Sequence, residues 1–342
     1  MRVTRLLRLW KHLTLFVLLL LAYTYIPDPV FDTVQFLLSR KFGLLGGKPA
    51  HERTGDLAPY LRTWMTPIDV RRQIDRCSWR NETGRPPPVQ RIPKYVHFVR
   101  VMDRDDYFGM MHYLAIRAAV VNIKPEKVFY HHRGLPSGEW WDRARGMITD
   151  LTPTADVKEI FGNKVEQGAH KADVIRLRAL QKWGGIYLDM DVIVTRSFDP
   201  LLHHTTVLGI EGFKPWIGLC NAVILTAPNA PFLKRWYDSY RTFDDSKWSD
   251  HSVIMPYTLS RTTPATDLCT LPTTAFFWPA YWLPHIQFVH EEDEWDFYND
   301  FQYAAHLYNT GWKYLKNATP EYIRGTNTSF TRLVRPYLPD DV

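Results

Sequence analysis

Residues His170 to Val194, HKADVIRLRALQKWGGIYLDMDVIV, constrain this chain more than any other stretch. Val174, Ile175, Leu177 and Leu180 recur at the spacing of one helix face, and Gly184-Gly185 supplies a stop signal. Ile186 to Leu188 then reads as a short buried strand, with Asp189 and Asp191 at its exit. On extended backbone alternate side chains project to the same side, so this spacing predicts two carboxylates converging on one point. A hard divalent cation takes oxygen ligands of this kind and keeps open positions for phosphate. The spacing by itself carries little weight, because Asp103-Arg104-Asp105 repeats it in a charged stretch without a strand, where it reads as a solvated loop. The competing reading of Asp189 and Asp191 is an edge strand whose aspartates only face water.

From Lys94 onward, strand-like and helix-like segments alternate: Tyr95 to Val99, Tyr107 to Val121, Val128 to His131, and so on to the helix at Asp173. That order predicts a mainly parallel, Rossmann-like α/β sheet flanked by helices. Ligands on such sheets bind beyond the carboxyl ends of strands, and Asp189 sits at one. The 342 residues suffice for one large α/β domain or a domain with appendages, and 45% apolar residues supply a sizeable core. The net charge of +6 is dispersed, with part of it in the first eleven residues, and no basic stripe argues for nucleic acid. Aromatic residues make up 14% of the chain, thirteen of them Trp, more flat faces than core packing requires and suited to stacking on sugars or a nucleobase.

Arg2, Arg5, Arg8 and Lys11 precede an apolar run from Leu13 to Ile26 that only Thr14 and Thr24 interrupt. No small-x-small cleavage site precedes Pro27, and counted from Leu9 the segment reaches spanning length if Lys11 and the arginines snorkel. Positive charge before the run holds that end in the cytoplasm. The expected plan is a cytoplasmic tail and type II signal anchor over 1–26, a stem over 27–90 and the α/β domain over 91–342; a cleaved signal and a buried helix are the alternatives. The stem ends in Arg85-Pro86-Pro87-Pro88, which reads as extended and stiff, while Val30 to Phe42 carries an apolar helical face. Asn81, Asn317 and Asn327 begin N-glycosylation sequons, consistent with a luminal domain. Cys77, Cys220 and Cys269 have no zinc-type spacing; they permit one disulfide and one leftover thiol, with the pairing open.

The block Ala172-Asp173, Arg176, Leu180, Gly184-Gly185 and Tyr187-Leu188-Asp189-Met190-Asp191-Val192 resembles the pattern SDxxRxxxLxxxGGxYLDxDV of the DxD glycosyltransferases of family 32, with Ala172 in place of the serine. That family includes alpha-1,6-mannosyltransferases, inositol-phosphoceramide mannosyltransferases and alpha-1,4-galactosyltransferases. Arg91 to Val99 is similar to the family's opening strand IPKxIHxxW, and Gly218 to Phe232 to its later asparagine-bearing segment. Ala305 to Trp312, AHLYNTGW, is similar to its closing HLWNxxW, with Tyr308 for the usual Trp, and Met255-Pro256 stands where the family has Gly-Pro. The likeness covers about residues 91 to 315.

The resemblance implies a GT-A fold and a metal-dependent hexosyltransferase that retains anomeric configuration, with Mn²⁺ or Mg²⁺ as cofactor. It implies a nucleotide-sugar donor (GDP-mannose, UDP-galactose or UDP-N-acetylglucosamine), a glycan or glycolipid acceptor, and a Golgi or endoplasmic reticulum membrane location with the catalytic domain luminal. Asp191 would coordinate the cation, with His306 as a further metal or diphosphate ligand. Asp189 would meet the metal shell, the ribose or the donor sugar, and Asn221 would lie near the reacting sugar. Asp173, Arg176 and Tyr187 would help bind the donor, against the plainer reading of Asp173 and Arg176 as an intrahelical ion pair. His97 and His170 attract interest by residue type only. Two other functions stay open: a non-catalytic glycan-binding relative and a metal-dependent phosphohydrolase.

Overall fold

The computed structural model describes residues 67–79, 88–101, 108–213, 216–299, 301–308, 312–316 and 318–342. The expected anchor, about three quarters of the stem, Asp103-Arg104-Asp105, Asn81 and Asn317 lie outside those residues. Among the described residues no helix is long and apolar enough to cross a membrane. The described residues of 67–212 and 217–342 form the larger compact unit of the chain.

The larger unit is built on a seven-stranded sheet ordered β10-β8-β9-β6-β1-β2-β3. Its strands are β1 (Tyr95–Arg100), β2 (Lys127–His132), β3 (Asp150–Pro153), β6 (Gly185–Leu188), β8 (Thr206–Phe213), β9 (Trp216–Thr226) and β10 (Cys269–Leu271). Two small antiparallel pairs complete the strands: β4 (Glu159–Ile160) with β5 (Asn163–Lys164), and β7 (Val192–Val194) with β11 (Ala304–His306). β3, β2, β1 and β6 run parallel, β10 runs parallel to β8, and β9 is antiparallel to β6. The expected mostly parallel α/β sheet is therefore present. The helix read from Tyr107 spans Met110–Ile123, and the two strands read beside it extend by a residue or two, as boundary readings commonly do.

The helix Gly168–Trp183 lies against β1 and β6 and aims Val174, Ile175, Leu177 and Leu180 into a core shared with Leu208, Leu219, Ile224, Phe232, Leu233 and Trp236. All four predicted face residues are buried. The Gly-Gly stop works by conformation and by space. Gly184 has φ +62° and Gly185 has φ +109°, and a Cβ at Gly185 would sit 2.4 Å from the Tyr95 carbonyl oxygen, one at Gly184 2.6 Å from the Pro228 ring. Only glycine turns the chain there and lets β6 enter beside β1.

Cys77 and Cys269 form a disulfide, Cα atoms 5.9 Å apart, which ties the helix Pro67–Cys77 to β10 and leaves Cys220 as a buried thiol. His97 and His170 both serve the scaffold. His97 donates from Nε2 to the Gly184 carbonyl (2.9 Å), accepts at Nδ1 from His131 Nε2 (3.0 Å), and stacks on Phe129. His170 joins Asp245 (2.8 Å) and the Trp248 carbonyl (3.2 Å), fastening the start of its helix to a loop.

Candidate active site

The strand β6 ends at Leu188, and the expected extended run through the two aspartates is replaced by a turn. Val192 N donates to the Asp189 carbonyl at 3.1 Å, so Asp189-Met190-Asp191 folds back into β7. The cause lies in long-range pairing: Asp189 N donates to Ala222 O on β9 (2.9 Å), and Leu307 N, just past β11, donates to Asp191 O (3.0 Å). The two aspartates belong to different strand systems, and the turn between them still brings their carboxylates together. One carboxylate oxygen from each and a His306 ring nitrogen lie within 4.8 Å of one another.

The site has two tiers. The floor consists of Asp173, Arg176, Tyr187 and Asn221, all buried, whose polar atoms meet one another. Arg176 pairs with Asp173 (3.1 Å) and Asp189 (3.0 Å), donates to the Asn221 carbonyl (2.9 Å), and lies 4.3 Å over the Tyr187 ring. Asn221 Nδ2 donates to Asp173 Oδ1 at 2.7 Å, and the Tyr187 hydroxyl donates to Asp189 Oδ1 at 2.5 Å. Asp173 and Arg176 do pair along the helix, but at 5% exposure each they form a floor and not a solvated helix face. Burial pushes the Asp173 carboxyl up, against the opposing pull of Arg176 and Asn221. Burial also works against the Arg176 cation, which the charges of Asp189, Tyr187 and Asp173 outweigh and hold protonated.

The outer tier consists of Asp189 and Asp191, whose side chains keep 26% and 31% exposure, with His306 beside them. His306 Nε2 lies 3.1 Å from Asp191 Oδ1. Burial lowers the imidazole, and Asp191 together with Asp189 and Glu211 overrides it, lifting its pKa to about 9. Burial likewise raises Asp191, and His306 outweighs that to hold the carboxyl below its ordinary value. The structure thus brings all seven sequence-derived site residues, Asp173, Arg176, Tyr187, Asp189, Asp191, Asn221 and His306, into one constellation.

Three further residues adjoin it to which the sequence reading gave no role in the site. Glu211, on β8, lies beside Tyr308 and Cys220, with burial holding its carboxyl above the usual range. Its signal was a single acid inside the apolar run Thr206 to Ile210 and Gly212, where burial of a charge calls for a reason. Tyr308 packs on His306 (ring centroids 4.0 Å) from the left-handed backbone region, φ +54°, an uncommon place for a bulky residue. His112 senses Asp191; burial and Arg100 lower its pKa to about 4 while Asp191 pulls the other way.

Two carboxylates and one imidazole at the exit of a strand form an oxygen-rich set suited to a divalent cation. Residues 126–208, which include both aspartates, match the family described as glycosyltransferase sugar-binding region containing DXD motif. Across 235 residues, 66% of this chain and 63% of the relative, the sequence is 42% identical to glucan organizing enzyme 1 of Cryptococcus neoformans var. grubii serotype A. It is 44% identical over 63 residues to inositol phosphoceramide mannosyltransferase 3 of Schizosaccharomyces pombe, covering 18% of this chain and 17% of that one. Across these segments the chain is similar to the DXD glycosyltransferases of family 32. It spans less than two thirds of the length of these curated relatives. The solved glycosyltransferase GlyE of Streptococcus pneumoniae TIGR4 aligns with 73% of this chain and 61% of its own at a TM-score of 0.42 and 13% identity, a likeness too slight to add to the assignment.

Proposed function

We propose that this protein is a divalent-cation-dependent glycosyltransferase of GT-A type, moving a hexose from a nucleotide sugar to a glycan or glycolipid acceptor with retention of anomeric configuration. The observation that carries the reading is the meeting of Asp189, Asp191 and His306 at the end of β6. Asp191 and His306 would hold the ion, and the mixed carboxylate and imidazole set favours Mn²⁺ over Mg²⁺. Bound there, the cation would supply neutralising charge for the departing nucleoside diphosphate. Arg176 already sits on Asp189 at 3.0 Å, so Asp189 is the poorer partner for a second cation and the better one for ribose or sugar hydroxyls. Tyr187 and Arg176 hold that carboxylate in one orientation, and Asn221 and Asp173 brace Arg176 from below. Preorganised contacts of this kind need no rearrangement as charge develops.

The donor is GDP-mannose, UDP-galactose or UDP-N-acetylglucosamine in this reading. The names of the two relatives add a glucan and inositol phosphoceramide as acceptor classes to test. Residues 1–26 would anchor the protein in a Golgi or endoplasmic reticulum membrane, with a stem over 27–90 and a luminal catalytic domain over 91–342. Asn327, exposed before the helix Ser329–Val334, is then open to glycosylation.

A donor panel assayed for nucleoside-diphosphate release, in Mn²⁺ and after EDTA, tests the reading. Release with one donor, abolished by EDTA and restored by Mn²⁺, is expected. Transfer by the metal-free protein would overturn the cation role, inorganic phosphate as the product would indicate a phosphohydrolase, and inertness with every donor would indicate a non-catalytic relative. Protease added to intact microsomes should spare residues 27 to 342; their digestion would exclude the type II topology.

A further inference from the structure

We propose that Glu211, Cys220 and His306 form a second metal site, one that takes a soft divalent cation of the Zn²⁺ class and shares His306 with the hard-cation site at Asp191. Its inhibitory consequence rests on the reading of Asp191 and His306 given above, whereas the binding itself does not. The Glu211 carboxylate, the Cys220 sulfur and a His306 ring nitrogen lie within 4.8 Å of one another. Zinc bound at about 2.3 Å from sulfur and about 2.0 Å from nitrogen and oxygen needs its ligand atoms roughly 3.3 to 3.8 Å apart, so an ångström or so of side-chain adjustment closes the site. Three strands supply the three ligands: β8 and β9, neighbours in the main sheet, carry Glu211 and Cys220, and β11, paired with β7, carries His306.

Each ligand is unclaimed by the chemistry proposed above or has an atom to share. Cys220 stays outside the disulfide, buried beside Glu211. His306 turns Nε2 toward Asp191, while its Nδ1 is buried with no hydrogen-bond partner among the described residues. The two donor sets differ in character. Asp189, Asp191 and His306 offer mainly oxygen, which suits Mn²⁺; Glu211, Cys220 and His306 offer thiolate, imidazole and one carboxylate, which suits zinc. On binding, the Cys220 thiol and the His306 imidazolium each give a proton to solvent, and the imidazole binds through Nδ1 as the neutral base. A soft cation so held draws His306 away from Asp191 and weakens the hard-cation site.

Cobalt(II) is the probe, because a thiolate ligand gives it a charge-transfer absorption in the near ultraviolet. The chain has three cysteines and two are tied in the disulfide, so in the oxidised full-length protein such a band reports Cys220. Wild-type protein titrated with Co²⁺ should show the band and Zn²⁺ should bleach it. Cys220→Ser should lack the band, retain Mn²⁺-dependent transfer, and need about tenfold more Zn²⁺ or higher for half inhibition; Glu211→Gln should keep the band and weaken Co²⁺ binding about tenfold. No band in the wild type, an equal band in Cys220→Ser, or equal Zn²⁺ inhibition of both proteins would each overturn the proposal. Absence of any Mn²⁺-dependent transfer would instead count against the proposed function, with the cobalt spectrum still deciding the second site.

Discussion

His97 is fully buried and His306 nearly so, and their surroundings drive the two imidazoles to opposite charge states. Burial lowers each of them. At His306 the carboxylate of Asp191 reverses the effect and lifts the pKa to about 9. At His97 the neighbour is His131, which adds to the burial penalty, and the pKa falls to about 3 despite the hydrogen bond to Gly184. The partner, and not the depth, therefore decides whether a histidine at this domain's interior is a held cation or a neutral strut. The same contrast separates a site whose charges await a ligand from a cluster whose polar atoms are already satisfied.

The strongest way to break the comparison is to remove the anion. Asp191→Asn should leave the fold intact and reduce transfer a hundredfold or more, about 3 kcal/mol, as loss of a preorganised electrostatic contact does. The His306 imidazole should also drop back toward its ordinary range, measurable by NMR titration of its ring protons in metal-free protein. Near-normal turnover in this variant would remove Asp191 from the chemistry.

Next in size is the floor. Asp173→Ala deprives Arg176 of one of its two carboxylates and Asn221 of its acceptor in a buried setting, so a stability loss of about 3 kcal/mol is expected from denaturant unfolding. Transfer per folded molecule should fall by a factor of about ten to a thousand, since a hydrogen bond to a charged group contributes roughly 1.5 to 3 kcal/mol. Diphosphate binding measured without the sugar should change far less. A stability cost well under about 1 kcal/mol would mean that the pair behaves as an exposed one in solution.

On the other side of the comparison, His97→Leu should touch stability alone. It leaves the His131 N–H and the Gly184 carbonyl without their partner, a cost of about 2 kcal/mol. Transfer by the folded fraction should match wild type; a drop comparable to that of Asp191→Asn would show that the rings stacked on His97, Phe129 at 4.7 Å and Trp183 at 6.1 Å between centroids, reach the site.

The helix, stop and strand of 168–188 were legible because their causes are local: an apolar period of 3.6 and two glycines whose φ values and close approach to Tyr95 and Pro228 admit no side chain. The seven site residues were legible through their motifs. The turn between Asp189 and Asp191 was not, because it depends on Ala222 and Leu307, which pair with those residues from far along the chain. The tiering was hidden for a related reason: spacing put Asp173 and Arg176 on one helix face but could not say that Asn221 and Tyr187 would seal that face from water. The Cys77 to Cys269 link, across 192 positions, had no local signal at all. Glu211 did have one, as a charge inside an apolar strand.

The most direct reading of the two histidine environments is the pH dependence of stability in the metal-free protein. His97 and His131 have folded pKa values of about 3 and about 4, below the ordinary 6.5, so the unfolded chain takes up protons that the folded one refuses. Their contribution is fully present above 6.5 and is lost as the pH falls toward those values, at about 1.4 kcal/mol per pH unit for each proton withheld. His306 has the opposite sign: its folded pKa of about 9 lies above 6.5, so its contribution is fully present below 6.5 and disappears as the pH rises through about 9. Urea unfolding from about pH 5 to about pH 9.5 should therefore show two limbs, with the carboxylates common to every variant cancelling in the differences. His97→Leu should make the acid limb shallower by its own share, with His131 and the other buried imidazoles keeping the rest, and leave the alkaline limb, while His306→Gln should remove the alkaline limb and leave the acid one. An acid limb unchanged by His97→Leu, or an alkaline limb that survives His306→Gln, would show that the two imidazoles do not differ as their partners require.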